Sequence, residues 1–253
     1  MVKIFLNLFG SNGVMAFLPM KKFYFVSRVL PSVFGFVVIA CAQQPPTAIE
    51  KGGKATEVAA KAEVDLEKKA TGWVTALALN DVVKEGRVKA VILAHLRAVH
   101  EWHNEHPYTA VPAGNNSVTG KPLTNLDRQM IADGALSKTV HEGLMSGLRE
   151  NLTDEQVETV LDQYTVHKVA FTLAGYHAIV PDLTKEEETT ILGFLKQARE
   201  EAVDYKNMNQ ISAVFEIYKT KSEQYLNANG RDWKALYRAF TAAVKAKKAA
   251  SGK

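Results

Sequence analysis

The chain of 253 residues contains a single cysteine, Cys41, so an internal disulfide is excluded. No segment alternates apolar and polar residues over a strand-like composition, and no β-sheet is predicted. Phosphate loops, nucleophile elbows and dinucleotide fingerprints are also lacking, so none of these enzyme signatures is present. Stability must therefore come from a packed apolar core.

The chain has little net charge once its first forty residues are set aside. Four of its 31 lysines and arginines lie in residues 1–40, and none of its 27 aspartates and glutamates does. The remaining chain has no formal net charge, although the whole sequence has a pI near 9.0. Because nucleic-acid binding depends on excess positive charge, nucleic acid is not a predicted partner.

The N-terminal residues have the pattern of an export signal. A positively charged stretch, Met20–Arg28, precedes an apolar run, Val29–Ala40, which is too short and too interrupted for a membrane span. Val38-Ile39-Ala40-Cys41 resembles the lipobox of bacterial lipoproteins, in which the cysteine is lipidated. The resemblance implies a lipid anchor on Cys41 and a place in the cell envelope. Cys41 is not followed by an acidic run like those of many surface-exported lipoproteins, so we expect attachment at the outer membrane facing the periplasm. Ordinary secretory cleavage, giving a soluble periplasmic or secreted product, is the alternative.

The rest of the chain has helical periodicity throughout. Val58–Leu79 carries apolar residues at three- and four-residue steps, and either Asn80 or Asp81 can cap a second helix that ends before Pro107. Capping boxes at Thr124, Thr153 and Thr184 predict the starts of three later helices. A further helix spans Asn209–Ala228 and ends at Gly230, and Asp232 starts the last helix.

The predicted fold is an all-α, single-domain bundle of about six to eight helices after a lipoprotein-type signal. The predicted boundaries are a signal peptide at 1–40, a tether at 41–54, the helical domain at 55–248 and a flexible tail at 249–253.

The stretch "AVHEWHNEHPY" suggests a site because it gathers three histidines around a tryptophan. His100 and His103 are one helical turn apart, and His106 can join them if the helix end frays. We expect the protein to have no cofactor. The alternative is that these histidines bind zinc or another divalent metal. A solvated helix end, with histidines near the negative end of the helix dipole, accounts for the same residues.

The long loop after this helix, Pro107–Pro122, predicts a ligand-binding face. Trp102 and Tyr108 flank it, and aromatic faces hold sugar rings, while Asn115 and Asn116 can match hydroxyl groups. The alternative places Trp102 in the core. A second candidate is the hinge "AGYHAIVPDL", where Tyr176 and His177 can line a cleft. The alternative places Tyr176 in the core.

Three segments between Asn151 and Trp233 carry a family resemblance: "NLTDEQVETVLDQYT", "GYHAIVPDLTKEEETTILGFLKQAREEAVD" and "FEIYKTKSEQYLNANGRDW". Together they resemble bacterial domain-of-unknown-function family 3826, with a looser likeness upstream. The chain departs from the family at Thr220–Glu223, where members carry Gly-Arg-Ile-Asn. The resemblance implies an exported protein, often encoded near polysaccharide-degrading enzymes, and it assigns no catalytic residue.

These observations predict an accessory protein of polysaccharide utilisation that binds a glycan fragment or a protein partner without catalysis. Its contact with the membrane is through the lipid anchor alone. The first alternative is a carbohydrate-active or metal-dependent hydrolase or lyase that uses the region of His100 and His103. The second is a periplasmic chaperone of the Leu-Thr-x-x-Gln type, suggested by "LTDEQ" and "LTKEE". Capping chemistry alone also explains those two motifs.

Overall fold

The protein is described by a computed structural model that covers residues 49–117 and 119–251, with side chains from residue 57 to 250 apart from 118. The predicted signal peptide, the lipidation site Cys41 and most of the predicted tether lie outside the described residues. The described helices all belong to one compact unit. They are, in chain order, α1 Ile49–Ala76, α2 Val82–Glu105, α3 Asn125–Asp133, α4 Lys138–Asn151, α5 Asp154–Tyr164, α6 Lys168–Ile179, α7 Lys185–Ala202, α8 Met208–Ala228 and α9 Trp233–Ser251.

The predicted all-α class is confirmed, since the part of the chain that the structure describes holds these helices, one 3-10 turn and no strand. The nine helices of the described residues exceed the predicted six to eight because two predicted stretches are each divided. Gly134–Ser137 separates α3 from α4, and Ser137 caps α4. Val166 and His167 separate α5 from α6 with positive φ angles, a break that neither glycine nor proline signals in the sequence.

The predicted helix boundaries follow from local chemistry. Thr124, Thr153 and Thr184 each form a complete capping box, as predicted. The second helix ends before Pro107 with His106 as its cap. The first described helix begins at Ile49, inside the segment predicted as a tether, and the last runs to Ser251. None of the described helices is long and apolar enough to cross a membrane.

The core is built where α1, α2, α4 and α5 meet. Their inward faces supply fully or nearly fully buried apolar residues, among them Ala70, Ile92, Leu148 and Val160. Helix α4 approaches α2 so closely at Gly147 that a Cβ there would lie only 2.7 Å from Val91 Cγ2. Helices α7 and α8 pack against each other, and α6 covers α7. The short connection between α7 and α8 therefore lies beside α2 and α4, and it carries the site described next.

Candidate functional site

The side chain of Asp204, in the connection between α7 and α8, is held by two histidines from different helices. His95 Nε2 on α2 lies 3.0 Å from Asp204 Oδ1, and His141 Nδ1 on α4 lies 2.9 Å from Asp204 Oδ2. An ionised carboxylate only accepts hydrogen bonds, so both rings donate to it. Burial opposes the charge of Asp204, but the hydrogen bonds from His141 and His95 prevail and lower its pKa.

His95 extends this hydrogen-bond chain into the core. It is only 3% exposed, and its Nδ1 lies 3.2 Å from the hydroxyl of Tyr164 on α5. The Tyr164 hydroxyl lies 3.2 Å from His95 Nδ1 and 3.5 Å from the carbonyl of Ile92, and the shorter contact makes Nδ1 its acceptor. Burial raises the pKa of Tyr164, and the charge of Asp204 raises it further, so the phenol keeps its proton. The hydrogen bonds therefore run from Tyr164 through His95 to Asp204.

His141 meets Asp204 from the side of the cleft. Its side chain is 26% exposed, and its Nε2 lies 3.8 Å from Glu200 Oε1. The hydrogen bond to Asp204 raises the pKa of His141 against the opposing effect of burial, and the charges of Asp204 and Glu200 add to the rise. His141 is thus a proton-carrying group next to an ionised carboxylate.

Asp133, at the end of α3, is a second carboxylate held in place by side chains. It is 4% exposed, and its Oδ2 lies 2.6 Å from His103 Nδ1 and 2.5 Å from Gln210 Nε2. Its Oδ1 accepts from Gln129 Nε2 at 2.9 Å. Gln129 Oε1 in turn accepts from the backbone N–H of Tyr108, which ties the long loop to α3.

Asp133, His141 and Asp204 line a cleft of about 590 Å³, which we term the Asp204 cleft. Tyr205 and Tyr218 also line it, and Tyr218 donates to Glu201 at 2.9 Å. Burial, and then the charges of Glu201, Asp133 and Asp204, raise the pKa of Tyr205 to about 12. Burial followed by the contact with Glu201 raises that of Tyr218 to about 12. Both phenols are therefore hydrogen-bond donors at neutral pH.

The residues predicted around the long loop make contacts within the protein. Trp102 is half-buried, donates from Nε1 to the carbonyl of Ala132 at 3.1 Å, and stacks on His106 with ring centroids 3.7 Å apart. The Tyr108 ring faces the Arg128 guanidinium at 5.4 Å. In the loop, Asn116 Oδ1 accepts from the N–H of Thr119, and Asn115 is exposed and pairs through its backbone with Pro122.

The predicted hinge residues do not share a cleft. Tyr176 is buried, donates to the carbonyl of Lys219 at 3.1 Å and lies 5.3 Å from the Trp233 ring, which is the core position weighed in the sequence. Burial raises its pKa. His177 is exposed, with Nε2 3.6 Å from Glu188.

The three histidines weighed as metal ligands have three different partners. His100 Nδ1 meets Asn104, His103 meets Asp133, and His106 donates from Nδ1 to the carbonyl of Trp102. Over residues 49–117 and 119–251, no group of three or more histidine, cysteine, aspartate or glutamate side chains has an arrangement that could hold a metal ion.

Sequence reasoning did not single out Asp133, Asp204, His95 or His141 as site residues. His95 carried the clearest signal, because it lies within the apolar stripe of α2 and so had to be buried with a polar partner. Asp204 appeared only as the end of the family motif "AREEAVD". The contact between His95 and Asp204 spans 109 residues of sequence, and no spacing rule reaches that far.

Comparison with known families gives a match. The model of the family described as "Protein of unknown function (DUF3826)" matches residues 64–246, a range that includes every residue lining the Asp204 cleft. A search of curated proteins finds no match. The match confirms the resemblance found between Asn151 and Trp233 and extends it upstream into α1. The chain therefore belongs to the DUF3826 family of proteins of unknown function.

Proposed function

We propose that the protein binds a neutral, hydroxyl-rich ligand, a fragment of a glycan, in the Asp204 cleft. One observation carries the proposal: two carboxylates, Asp133 and Asp204, are fixed by histidine and glutamine donors where they line a single cleft. Fixed carboxylates favour binding because their orientation costs little entropy when a ligand arrives.

The lining of the cleft matches the chemistry of sugar hydroxyls. Carboxylate oxygens accept from hydroxyl groups, the phenol of Tyr205 donates to them, and the phenol oxygen of Tyr218, whose hydrogen goes to Glu201, accepts from them. Aromatic faces suit the C–H side of a sugar ring. Five carboxylates line the cleft, against the cations Lys138 and His141. This excess of negative charge repels an anionic ligand, whereas a neutral sugar meets no such repulsion.

We further propose, from the sequence, that the protein is an exported accessory protein of polysaccharide utilisation and acts without catalysis. The lipobox-like Val38–Cys41 supports a lipid anchor at the outer membrane facing the periplasm, and the family resemblance supports the carbohydrate context. The proposed site differs from the predicted one, since Trp102 stacks on His106 within the protein rather than presenting both faces to a ligand.

A hydrolase or lyase is the second candidate, because the cleft also holds a proton donor beside a base. His141 has a raised pKa, Asp204 has a lowered one, and the two are 2.9 Å apart. Such a pair is suited to general acid–base catalysis if a ligand places its reacting atoms within hydrogen-bond reach.

Isothermal titration of the purified protein with a panel of neutral oligosaccharides tests the proposal. We expect heat from at least one sugar, at least about tenfold weaker binding in Asp204→Asn, and no change in Glu188→Gln. Glu188 is the matched control because its partner is His177, away from the cleft. An Asp204→Asn protein that is folded and binds as the wild type does would refute the proposal. Release of new reducing ends by the wild type would support the second candidate instead.

A further inference from the structure

A second pocket lies on another side of Tyr205 and has a different chemistry from the Asp204 cleft. This Lys206 pocket has a volume of about 400 Å³ and an apolar lining that includes the buried residues Leu66, Val99, Tyr164 and Ile211. Trp73 also lines it, with its ring centroid 4.6 Å from that of Tyr164. The two rings are tilted by 49° to each other, and the wall they form is aromatic and suited to an apolar group.

Cationic side chains dominate the polar part of the Lys206 pocket. Lys69 and Lys206 line it together with His100, whereas Asp65 is the one carboxylate in its lining. Neither lysine takes part in an ion pair among the residues that the structure describes. The positive charge of the pocket is thus left for a ligand to neutralise.

Asn104 connects Lys206 to His100 and sets which nitrogen of His100 can donate. Lys206 Nζ donates to Asn104 Oδ1 at 2.5 Å, so the amide nitrogen of Asn104 faces His100 Nδ1 at 3.1 Å. The amide nitrogen is a donor only, and His100 Nδ1 must accept. Neutral His100 consequently carries its proton on Nε2, which makes no hydrogen bond among the described residues. Burial, and then the charge of Lys206, lower the pKa of His100 in the absence of an anion.

Backbone strain occurs at the same pocket. Val166 lines it with φ of 51°, a left-handed conformation that a β-branched residue rarely adopts, and its side chain is 62% exposed. Residues kept in such conformations cluster at ligand-binding sites, where the surrounding structure compensates for the strain. Here the conformation keeps an apolar side chain at the mouth of the pocket.

From these four observations we infer that the Lys206 pocket binds an amphipathic monoanion. Its apolar body would pack against the lining that Trp73 and Tyr164 share. Its carboxylate would accept from Lys206 Nζ and His100 Nε2, with Lys69 adding long-range attraction. The Lys206 pocket favours an anion, whereas the acidic Asp204 cleft repels one. The inference therefore does not depend on the function proposed for the cleft.

Titration with 2-naphthoate and 2-naphthamide tests the inference, because the two probes share their apolar body and differ in charge. For the wild type we expect 2-naphthoate to bind at least about tenfold more tightly than 2-naphthamide. Lys206→Met should abolish that preference. Lys68→Met is the matched control, since Lys68 is an exposed neighbour of Lys69 on α1 that does not line the pocket. Its preference should equal that of the wild type.

Two further variants keep the test decisive. Lys69 is exposed, so Lys69→Met should fold normally and reduce the preference for 2-naphthoate by a smaller factor than Lys206→Met. Glu142→Gln should leave 2-naphthoate binding unchanged, because Glu142 lines the Asp204 cleft but is not part of the hydrogen-bond chain that ends at Tyr164; this variant separates the two pockets. Equal binding of the two probes by the wild type overturns the inference. So does an equal loss in Lys68→Met and Lys69→Met.

Discussion

Glu187 and Asp204 are two carboxylates of lowered pKa that the fold uses in different ways. Glu187, 6% exposed near the start of α7, is paired with Arg231, whose Nε and Nη2 lie 2.6 and 2.8 Å from its two oxygens. Asp204 has two histidines as partners and lines a cleft. The pKa of Glu187 is lowered to about 2 by the hydrogen bond from Arg231. A lowered pKa alone therefore does not distinguish a structural carboxylate from a functional one.

Glu187 and Asp204 differ in the residues that pair with them and in their access to solvent. An arginine stays charged at every pH a protein experiences, so the Glu187 pair is permanent. Arg231 also donates to the side chain and the carbonyl of Asp182, which fixes α9 against the start of α7. Histidines can gain and lose a proton near neutral pH, and His141 faces an open cleft. The Asp204 cluster can thus respond to a ligand, and the Glu187 cluster cannot.

The largest expected effect comes from removing the arginine of the permanent pair. Arg231→Met leaves Glu187 buried without its cation, and we expect a loss of about 3 kcal/mol in the free energy of unfolding. Urea denaturation measures it, with the exposed Arg149→Met as control. A loss no larger than that of the control would show that the pair does not stabilise the fold.

The two clusters should also differ in the sign of their pH response. The pKa of Glu187 lies below its ordinary value of 4.5, so its contribution is present above that pH and is lost as the pH falls toward 2. The pKa of His141 lies above its ordinary value of 6.5, so its contribution is present below that pH and is lost as the pH rises through the raised value.

Unfolding free energies measured across both pH ranges can separate these contributions. Arg231→Met should reduce the slope on the acid side only. His141→Gln should reduce it on the alkaline side and, because His141 also lowers the pKa of Asp204, to a smaller extent on the acid side. Unchanged slopes in both variants would contradict the assignment.

A smaller effect on stability is expected at the Asp204 cluster. Asp204→Asn keeps one carbonyl oxygen for one histidine and loses the charge-assisted bond to the other. We expect a loss of about 1–2 kcal/mol in the free energy of unfolding, less than in Arg231→Met, while sugar binding weakens strongly. Thermal unfolding and titration of the same sample test both parts. A variant that fails to fold would place Asp204 with the structural carboxylates.

The smallest effect is expected at the inner end of the hydrogen-bond chain. Tyr164→Phe removes only the hydroxyl that donates to His95, at a cost of about 0.5–1 kcal/mol in stability. Sugar binding in the cleft should then fall less than in Asp204→Asn, because His95 keeps its bond to the carboxylate. A loss of binding as large as that in Asp204→Asn would mean that Tyr164 orients the whole cluster.

Local chemistry explains what the sequence could predict of this fold. Four consecutive residues are enough to recognise each capping box, at Thr153 and at Thr184, and two residues are enough to predict that α2 ends before Pro107. The break at Val166 and His167 was missed because positive φ at such residues is imposed by packing rather than by residue type.

The candidate site depends on contacts that no short pattern contains. Asp204 meets His141 across 63 residues and His95 across 109. The histidines around Trp102 attracted attention because they are close in sequence, but a helix turns them toward different partners. The one sequence signal that could have pointed to a polar network inside the bundle is His95, which lies among the apolar residues Val88, Ile92 and Val99 of α2.

The hydrogen-bond chain from Tyr164 to His141 has a thermodynamic consequence for the two pockets. Tyr164 lines the Lys206 pocket, and His141 lines the Asp204 cleft, with His95 and Asp204 between them. A ligand that changes the protonation or orientation of this chain from one pocket changes the affinity of the other. By linkage the effect is reciprocal, since each ligand must alter the dissociation constant of the other by the same factor.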